Sequence, residues 1–478
     1  MRQLTVDVNG HPYNRLLMVI ILIAGSFCTV LNQTILATAY PTLMRYFSVN
    51  TSTVQWLTTG FLMVNGMMIP VSAYLSNRLN TKYLYLGAMT TFEIGTIICW
   101  LAPSFAILLI GRIVQALAVG ITVPLIQTIM LTIFPAEQRG TAMGFTGIVV
   151  GLAPAIGPTL SGFIIDTLTW RDLFRLIVPI VLLVIILGCF FIHPVLKNTN
   201  AKLDLWSLIL STFGFGLLLY GFSMVGTNGW ASPVVIMSLI CGVIIVGIMF
   251  FRQLRISHPF LEIRVFKHSQ FIIGTTLSSI VRMAMVGVEM IIPIYLQTIH
   301  HLSAFESGLV LLPGACMFGI LSPVTGRIFD KYGAKYLTIT GMTLLTIGTL
   351  FLVTINQNFP IIWISVIYMV RMVGISMVMM PASTAGMNSL PVSLFADGSA
   401  VNNTIRQVAA AIGTALMTSV LDDVTRQSSQ HLTSLAEKVD AVLNGYHASF
   451  LLAAGFASLG IIISWFFKTK QQLDQTEQ

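Results

Sequence analysis

Fourteen long apolar runs separated by short polar loops dominate this chain. They fall at 16–38, 53–75, 83–102, 105–132, 141–165, 173–193, 204–225, 233–251, 270–298, 306–325, 336–355, 359–382, 398–421 and 448–467. A helix needs about 20 apolar residues to cross a bilayer core. In lipid, backbone polar groups must be satisfied inside the protein, which only helices and closed barrels achieve. These runs are too long for barrel strands, so the expected fold is an all-α integral membrane bundle of 14 spans. Composition agrees: 9% of the 478 residues are charged, against about 25% in an ordinary soluble protein. That excludes a soluble enzyme or a soluble nucleic-acid binder. Fourteen spans consume roughly 280 residues, leaving no room for a sizeable soluble domain.

Lys and Arg orient the bundle, because cytoplasmic loops of membrane proteins hold them in excess. With the N-terminus inside, alternate loops place sixteen of them inside and five outside, and Arg112, Arg282, Arg371 and Arg406 fall in or near spans. This supports an even span count with both termini cytoplasmic, and it accounts for the net charge of +8 without a polyanion partner. The first apolar run leads into a full span with no small-residue cleavage site, so no cleavable signal is expected. The cysteines Cys28, Cys99, Cys189, Cys241 and Cys316 lie in apolar stretches and read as small buried apolar residues rather than a disulfide framework.

The spans divide as six, two and six. The first six end at His193-Pro194, and a basic loop through Arg252–Lys267 precedes the ninth. The expected units are therefore 1–195, 196–267 and 268–478. The linkers Ser72-Ala-Tyr-Leu-Ser76-Asn77-Arg78 and Gly326-Arg327-Ile-Phe-Asp330-Lys331-Tyr-Gly333 resemble one another, as expected of two related halves. Arg78, Arg327, Asp330 and Lys331 are the candidate gating residues. The polar stretch 422–447 is expected to be an outside loop, partly helical.

The densest motif is in span 5: Gly147-Ile-Val-Val-Gly151-Leu-Ala-Pro154-Ala-Ile-Gly157-Pro158-Thr-Leu-Ser161-Gly162. Missing side chains at Gly147, Gly151, Gly157 and Gly162 let a neighbouring helix approach. Pro154 and Pro158 each delete a backbone donor and bend the helix. Generic small-residue packing explains an isolated pair of this kind, but the density here favours a helix built for a bundle that rocks.

The run Gly151 to Gly162 resembles the antiporter signature of the major facilitator superfamily in its drug/proton antiporter branches. Leu31-Asn32-Gln33-Thr34 through Pro41 is similar to the span 1 motif of the fourteen-span branch. Gln55-Trp56 with Phe61, Gly111-Arg112 through Gln115-Ala116 to Gly120, and Asp397-Gly398-Ser399-Ala400 with Thr404-Ile-Arg406-Gln407 resemble its motifs in spans 2, 4 and 13. The resemblance covers nearly the whole chain. It implies a major-facilitator-type fold, two six-helix bundles plus two central helices, exporting small, mostly lipophilic molecules against protons. Asn32 stands where the family usually has an aspartate, as in the lincomycin-efflux-like members. Asn77 replaces the gating aspartate, Ala116 a favoured glycine, and Ser161 a common one.

With the span 1 acid absent, two carboxylates lie deep in spans, Glu93 and Glu289, and such residues are functional candidates by default. Glu93 and Arg112 sit at similar depth, so a pair between them is expected, either as a structural lock or as a switch broken by protonation. Glu289 follows Arg282 by seven residues, with Met283, Met285 and Met290 around it and Pro293 nearby. It is expected to take up a proton or to attract a cationic drug, one excluding the other. Asn32, Gln33, Thr34, Trp56, Phe61, Gln115, Gln127, Met285, Glu289 and Gln297 are the candidates for a central cavity, although a helix–helix hydrogen bond is an equal reading for each polar one. Arg371 reads as a tie between helices.

His300-His301 has no third ligand nearby, and no phosphate-binding glycine loop occurs. No metal or cofactor is therefore expected, and the proton gradient supplies the energy. The expected function is a proton-coupled multidrug or antibiotic exporter in a bacterial cytoplasmic membrane. It would act as a monomer among membrane lipids on small lipophilic or cationic molecules. Export of an endogenous metabolite, lipid or peptide is the alternative. A membrane-embedded transferase would need a surface acidic or histidine cluster that the sequence does not offer.

Overall fold

The computed structural model describes residues 5–36, 38–197, 204–256, 259–429 and 435–468. In chain order the α-helices are α1 (Arg15–Thr34), α2 (Tyr40–Phe47), α3 (Thr51–Arg78), α4 (Thr81–Trp100), α5 (Phe105–Ile133), α6 (Arg139–Thr167), α7 (Asp172–Arg175) and α8 (Ile177–Phe191). There follow α9 (Leu205–Asn228), α10 (Pro233–Arg255), α11 (Ser269–Thr298), α12 (Ala304–Tyr332), α13 (Lys335–Leu352), α14 (Ile361–Asn388), α15 (Phe395–Ser429) and α16 (Leu435–Ser464). Apart from short 3-10 turns, the other regular structure among the described residues is a small antiparallel hairpin, Thr5–Val6 with Pro12–Tyr13. Each expected span coincides with one long helix, and the short α2 and α7 are additional.

Thirteen helices among the described residues are long and apolar enough to cross a membrane. The long helix outside that set is α4, whose sequence holds Lys82, Glu93 and four threonines. It packs against α5 and α8.

Polar caps start many of the helices. Asn14, Asn50, Asn80, Ser104 and Ser303 each accept a hydrogen bond from a backbone N–H in the first turn, and Ser303 with Glu306 forms a reciprocal capping box. Several boundaries depart from the expected ones, α12 and α14 among them, which run on to Tyr332 and Asn388. The first span stops at Thr34, not at 38, and the chain turns into α2 with Pro41 in its opening turn, where a missing N–H costs nothing. The stretch 422–447 is mostly helical, since α15 runs to Ser429 and α16 begins at Leu435; residues 430–434 lie outside the described ones.

The long helices through α8 pack on one another, as do α11–α16. The two sets meet along two seams, α6 against α12 and α3 against α15. Helix α9 lies against both α3 and α15, and α10 covers α9. The sets also share an internal likeness. Helices α4 and α5 cross at Gly95 and Gly111, where a Cβ on either would come within about 3.0 Å of the other's carbonyl oxygen; α13 and α14 cross the same way at Gly341 and Gly374, at 2.7 and 2.6 Å.

The cysteines are all free, but they are not uniformly buried: Cys189 is exposed, Cys241 and Cys316 are partly so, and only Cys28 and Cys99 are buried. In a lipid-facing helix an apolar side chain has no reason to turn inward.

Candidate functional site

The glycine-proline helix α6 is one side of the α6/α12 seam. A Cβ on Gly144 would come 2.5 Å from the backbone oxygen of Ser322, one on Gly147 would meet the Ser322 side chain at 2.8 Å, and one on Gly151 would overlap the Phe318 ring. Gly157 faces Thr34 of α1 in the same way. A Cβ on Gly162 would meet Phe305 at an ordinary 3.5 Å, so close approach does not require a glycine there. Helix α6 continues through Pro154 and Pro158.

At the Lys/Arg-rich end, two carboxylates tie one helix set to the other. Asp330 accepts from the backbone N–H groups of Gly140 and Thr141 (2.7 and 2.8 Å) and from the Thr141 hydroxyl (2.6 Å), so it caps α6 from the end of α12. The corresponding tie joins the end of α3 to the start of α15. Buried Asp397 accepts from Asn77 Nδ2 (3.2 Å) and from the Glu262 backbone N–H (2.9 Å). The acid that the 72–78 linker lacks is thus supplied by span 13. Of the other gating candidates, Arg78 is bonded to the Tyr74 hydroxyl. Arg327 and Lys331 are exposed, with Lys331 over the Tyr332 ring. At the start of α9, partial burial works to raise the Asp204 carboxyl, and hydrogen bonds from Arg252 and Ser207 more than reverse this, holding it below the ordinary carboxylate range.

Deeper in, each set holds a fully buried arginine. Arg112 donates through Nη1 to the Asn32 side chain, to its carbonyl (3.0 Å) and to Gln115 Oε1 (3.0 Å). Its Nε reaches the Leu57 carbonyl (3.3 Å), and the guanidinium lies 4.1 Å above the Phe61 ring. The expected Glu93–Arg112 pair does not form. Both Glu93 carboxylate oxygens are buried without a hydrogen-bond partner. Arg371 of α14 donates to Thr349 Oγ1 (2.9 Å) and to the Ala284 carbonyl of α11 (3.2 Å), a tie between helices as expected. Half-buried Glu289 accepts from the Tyr368 hydroxyl at 3.4 Å and lies within electrostatic range of Arg282 and Arg371.

Between the two sets lies a cavity of about 80 Å3, bordered by α1, α3, α5 and α6 on one side and by α11 and α15 on the other. Of the cavity candidates, Gln33 and Gln127 line it; Arg282, Asn403, Arg406 and Gln407 line it as well. The other candidates lie elsewhere. Asn32, Phe61 and Gln115 build the Arg112 cluster, and Gln115 also donates to Thr96 (2.9 Å). Thr34 bonds the Leu31 carbonyl (3.4 Å). Trp56 stacks on Tyr220 of α9 at 6.0 Å, Met285 is fully buried, and Gln297 is exposed near the end of α11. Sequence reasoning passed over Arg406 and Asn403 as cavity residues. The signal was present, because 403, 406 and 407 share one helix face at three- and four-residue spacing.

The sequence model described as Major Facilitator Superfamily matches residues 22–414. Over 469 residues the chain is 43% identical to the uncharacterized MFS-type transporter YcnB of Bacillus subtilis, covering 98% of each chain. It is 40% identical over 462 residues to the lincomycin resistance protein LmrB of the same organism, covering 95% of each. In structure it resembles the human organic anion transporter MFSD10 with a TM-score of 0.66 at 14% identity, over 94% of this chain and 99% of that one, a likeness of fold alone.

Proposed function

This chain belongs to the Major Facilitator Superfamily, and from that premise we propose that it is a proton-driven exporter of small lipophilic molecules. It is a multi-pass transporter of the plasma membrane, and its relatives here are bacterial. The proposed arrangement has fourteen spans with both termini cytoplasmic. At about 1.5 Å per residue, the 20 residues of α4 are long enough to cross. An even count also keeps the basic loops on one side.

The observation that carries the coupling is the difference between the two arginine clusters. Beside Arg112 stands neutral Asn32, whereas near Arg371 stands Glu289, a carboxylate that can exchange a proton. Glu289 takes a proton from outside and releases it inside as the two sets rock about the α6/α12 and α3/α15 seams. The cavity of about 80 Å3 is smaller than the roughly 300–1,000 Å3 of a drug-sized site. Cargo is therefore admitted when the Asp330 and Asp397 ties release and the seams open. Neither a nucleotide nor a metal takes part, and a monomer suffices.

Inverted vesicles with an acidic lumen test this reading. A lipophilic dye should accumulate inside while the gradient lasts and leak away when an uncoupler collapses it. Accumulation indifferent to the gradient would refute proton drive.

A further inference from the structure

We infer that the cavity between the two helix sets is an anion subsite, and that the cargo carries a carboxylate or a similarly compact anionic group gripped by Arg282 and Arg406. The inference names the cargo class of the exporter proposed above and rests on that reading.

The argument begins with what the cavity wall offers. Arg406 is 6% exposed and borders the cavity, yet its Nε and Nη1 have no hydrogen-bond partner. Arg282 borders the same space, within electrostatic range of Arg406 and of Glu289, and its hydrogen-bond contact is a long one to the Met285 sulfur at 3.9 Å. Two guanidinium groups repel one another, and a buried charge without a counterion costs several kcal/mol. Ionisable groups kept inside a membrane bundle face its interior or a cavity and mark substrate and ion pathways.

The neutral wall points the same way. Gln127 Oε1 is occupied by Asn403 Nδ2 (2.6 Å) and Ser399 Oγ (3.3 Å), which leaves Gln127 Nε2 as a buried donor without a partner. The fully buried, unpartnered polar atoms of the lining residues are thus all N–H donors. Among its lining residues none is acidic. The nearest carboxylate on the same helix, Glu289, is seven residues from Arg282, about 10 Å along the axis; it acts on Arg282 electrostatically without forming an ion pair, and it accepts from the Tyr368 hydroxyl. A cationic cargo would meet two like charges here. An acceptor-rich anion would satisfy both arginines in the forked geometry that guanidinium groups favour.

The test uses the purified full chain and two dyes on related tricyclic cores: fluorescein, which carries a carboxylate, and the cationic tetramethylrhodamine methyl ester. Anisotropy should show fluorescein binding in wild type. Arg406→Gln and Arg282→Gln should each weaken it about tenfold, as expected for a lost charged hydrogen bond, without weakening the cationic ester. Removing an unpaired buried charge should not lower the melting temperature of the empty protein, whereas removing a structural tie would. If either glutamine variant fails to fold, Arg406→Lys and Gln127→Leu take its place, and both should weaken fluorescein binding. Tighter binding of the cationic ester by wild type, or fluorescein affinity unchanged across the variants, overturns the inference. Binding is read without a gradient. A chain that binds fluorescein through these arginines but does not accumulate it keeps the subsite and loses the export reading. Gradient-driven accumulation of the cationic ester alone does the reverse.

Discussion

Arg112 shows what one residue can settle in this bundle. Its guanidinium is fully buried, yet every partner it has is neutral: Asn32, Gln115, the Leu57 carbonyl and the Phe61 ring. Depth along a helix is legible from sequence, because each residue rises by a fixed step. Rotation about a neighbour's axis is not, so the shared level of Glu93 and Arg112 suggested a pair that the structure does not form. The sequence did identify Asn32 as the unusual residue in span 1, though not that its amide oxygen would receive the arginine. A carboxylate at that position would provide the missing counterion within reach of a group already held in place. Asn32→Asp should therefore raise the melting temperature in detergent by a few degrees. A clear fall would mean that the neutral cluster is the better-matched one.

Among the elements, the α6/α12 seam is the best example of sequence determining packing. The spacing of Gly147, Gly151 and Gly157 announced a close approach, and Ser322, Phe318 and Thr34 are what approach. The partner helix was not legible, because small residues advertise proximity without naming a neighbour. At Gly144 the obstacle is backbone, the Ser322 oxygen at 2.5 Å from an added Cβ. Gly144→Val should then cost about 1–3 kcal/mol through overpacking, visible as a lower melting temperature together with lost transport. Gly247 of α10, with nothing within 4 Å of an added Cβ, supplies the contrast. Gly247→Ala should leave stability equal or raise it by about 0.5–1 kcal/mol, and a comparable loss there would contradict the packing account. The helix ends were harder to read than the spans. Hydropathy sees only the apolar stretch, so it ended α15 and began α16 where their polar extensions take over, and it ran α1 on past the turn that Pro41 enforces.

At the scale of the whole molecule, two helix sets are related part by part. Reciprocal glycine crossings join α4 to α5 and α13 to α14. Buried arginines occupy α5 and α14, and two carboxylates of the second set hold the first at corresponding places, Asp330 capping α6 and Asp397 beside Asn77 of α3. The linker likeness between 72–78 and 326–333 hinted at this relation. The swap of acid and amide hid half of it, because the aspartate completing the first tie lies about 320 residues away in sequence. The proposed coupling departs from that symmetry at one point, Asn32 in one set against Glu289 in the other. The decisive measurement is cargo-triggered proton efflux from acid-loaded inverted vesicles bearing wild type or Glu289→Gln, matched for protein inserted. The account predicts efflux on adding a transported cargo in wild type and none in Glu289→Gln. Equal efflux from both would contradict it and move the proton site elsewhere, with unpartnered Glu93 the next carboxylate to replace.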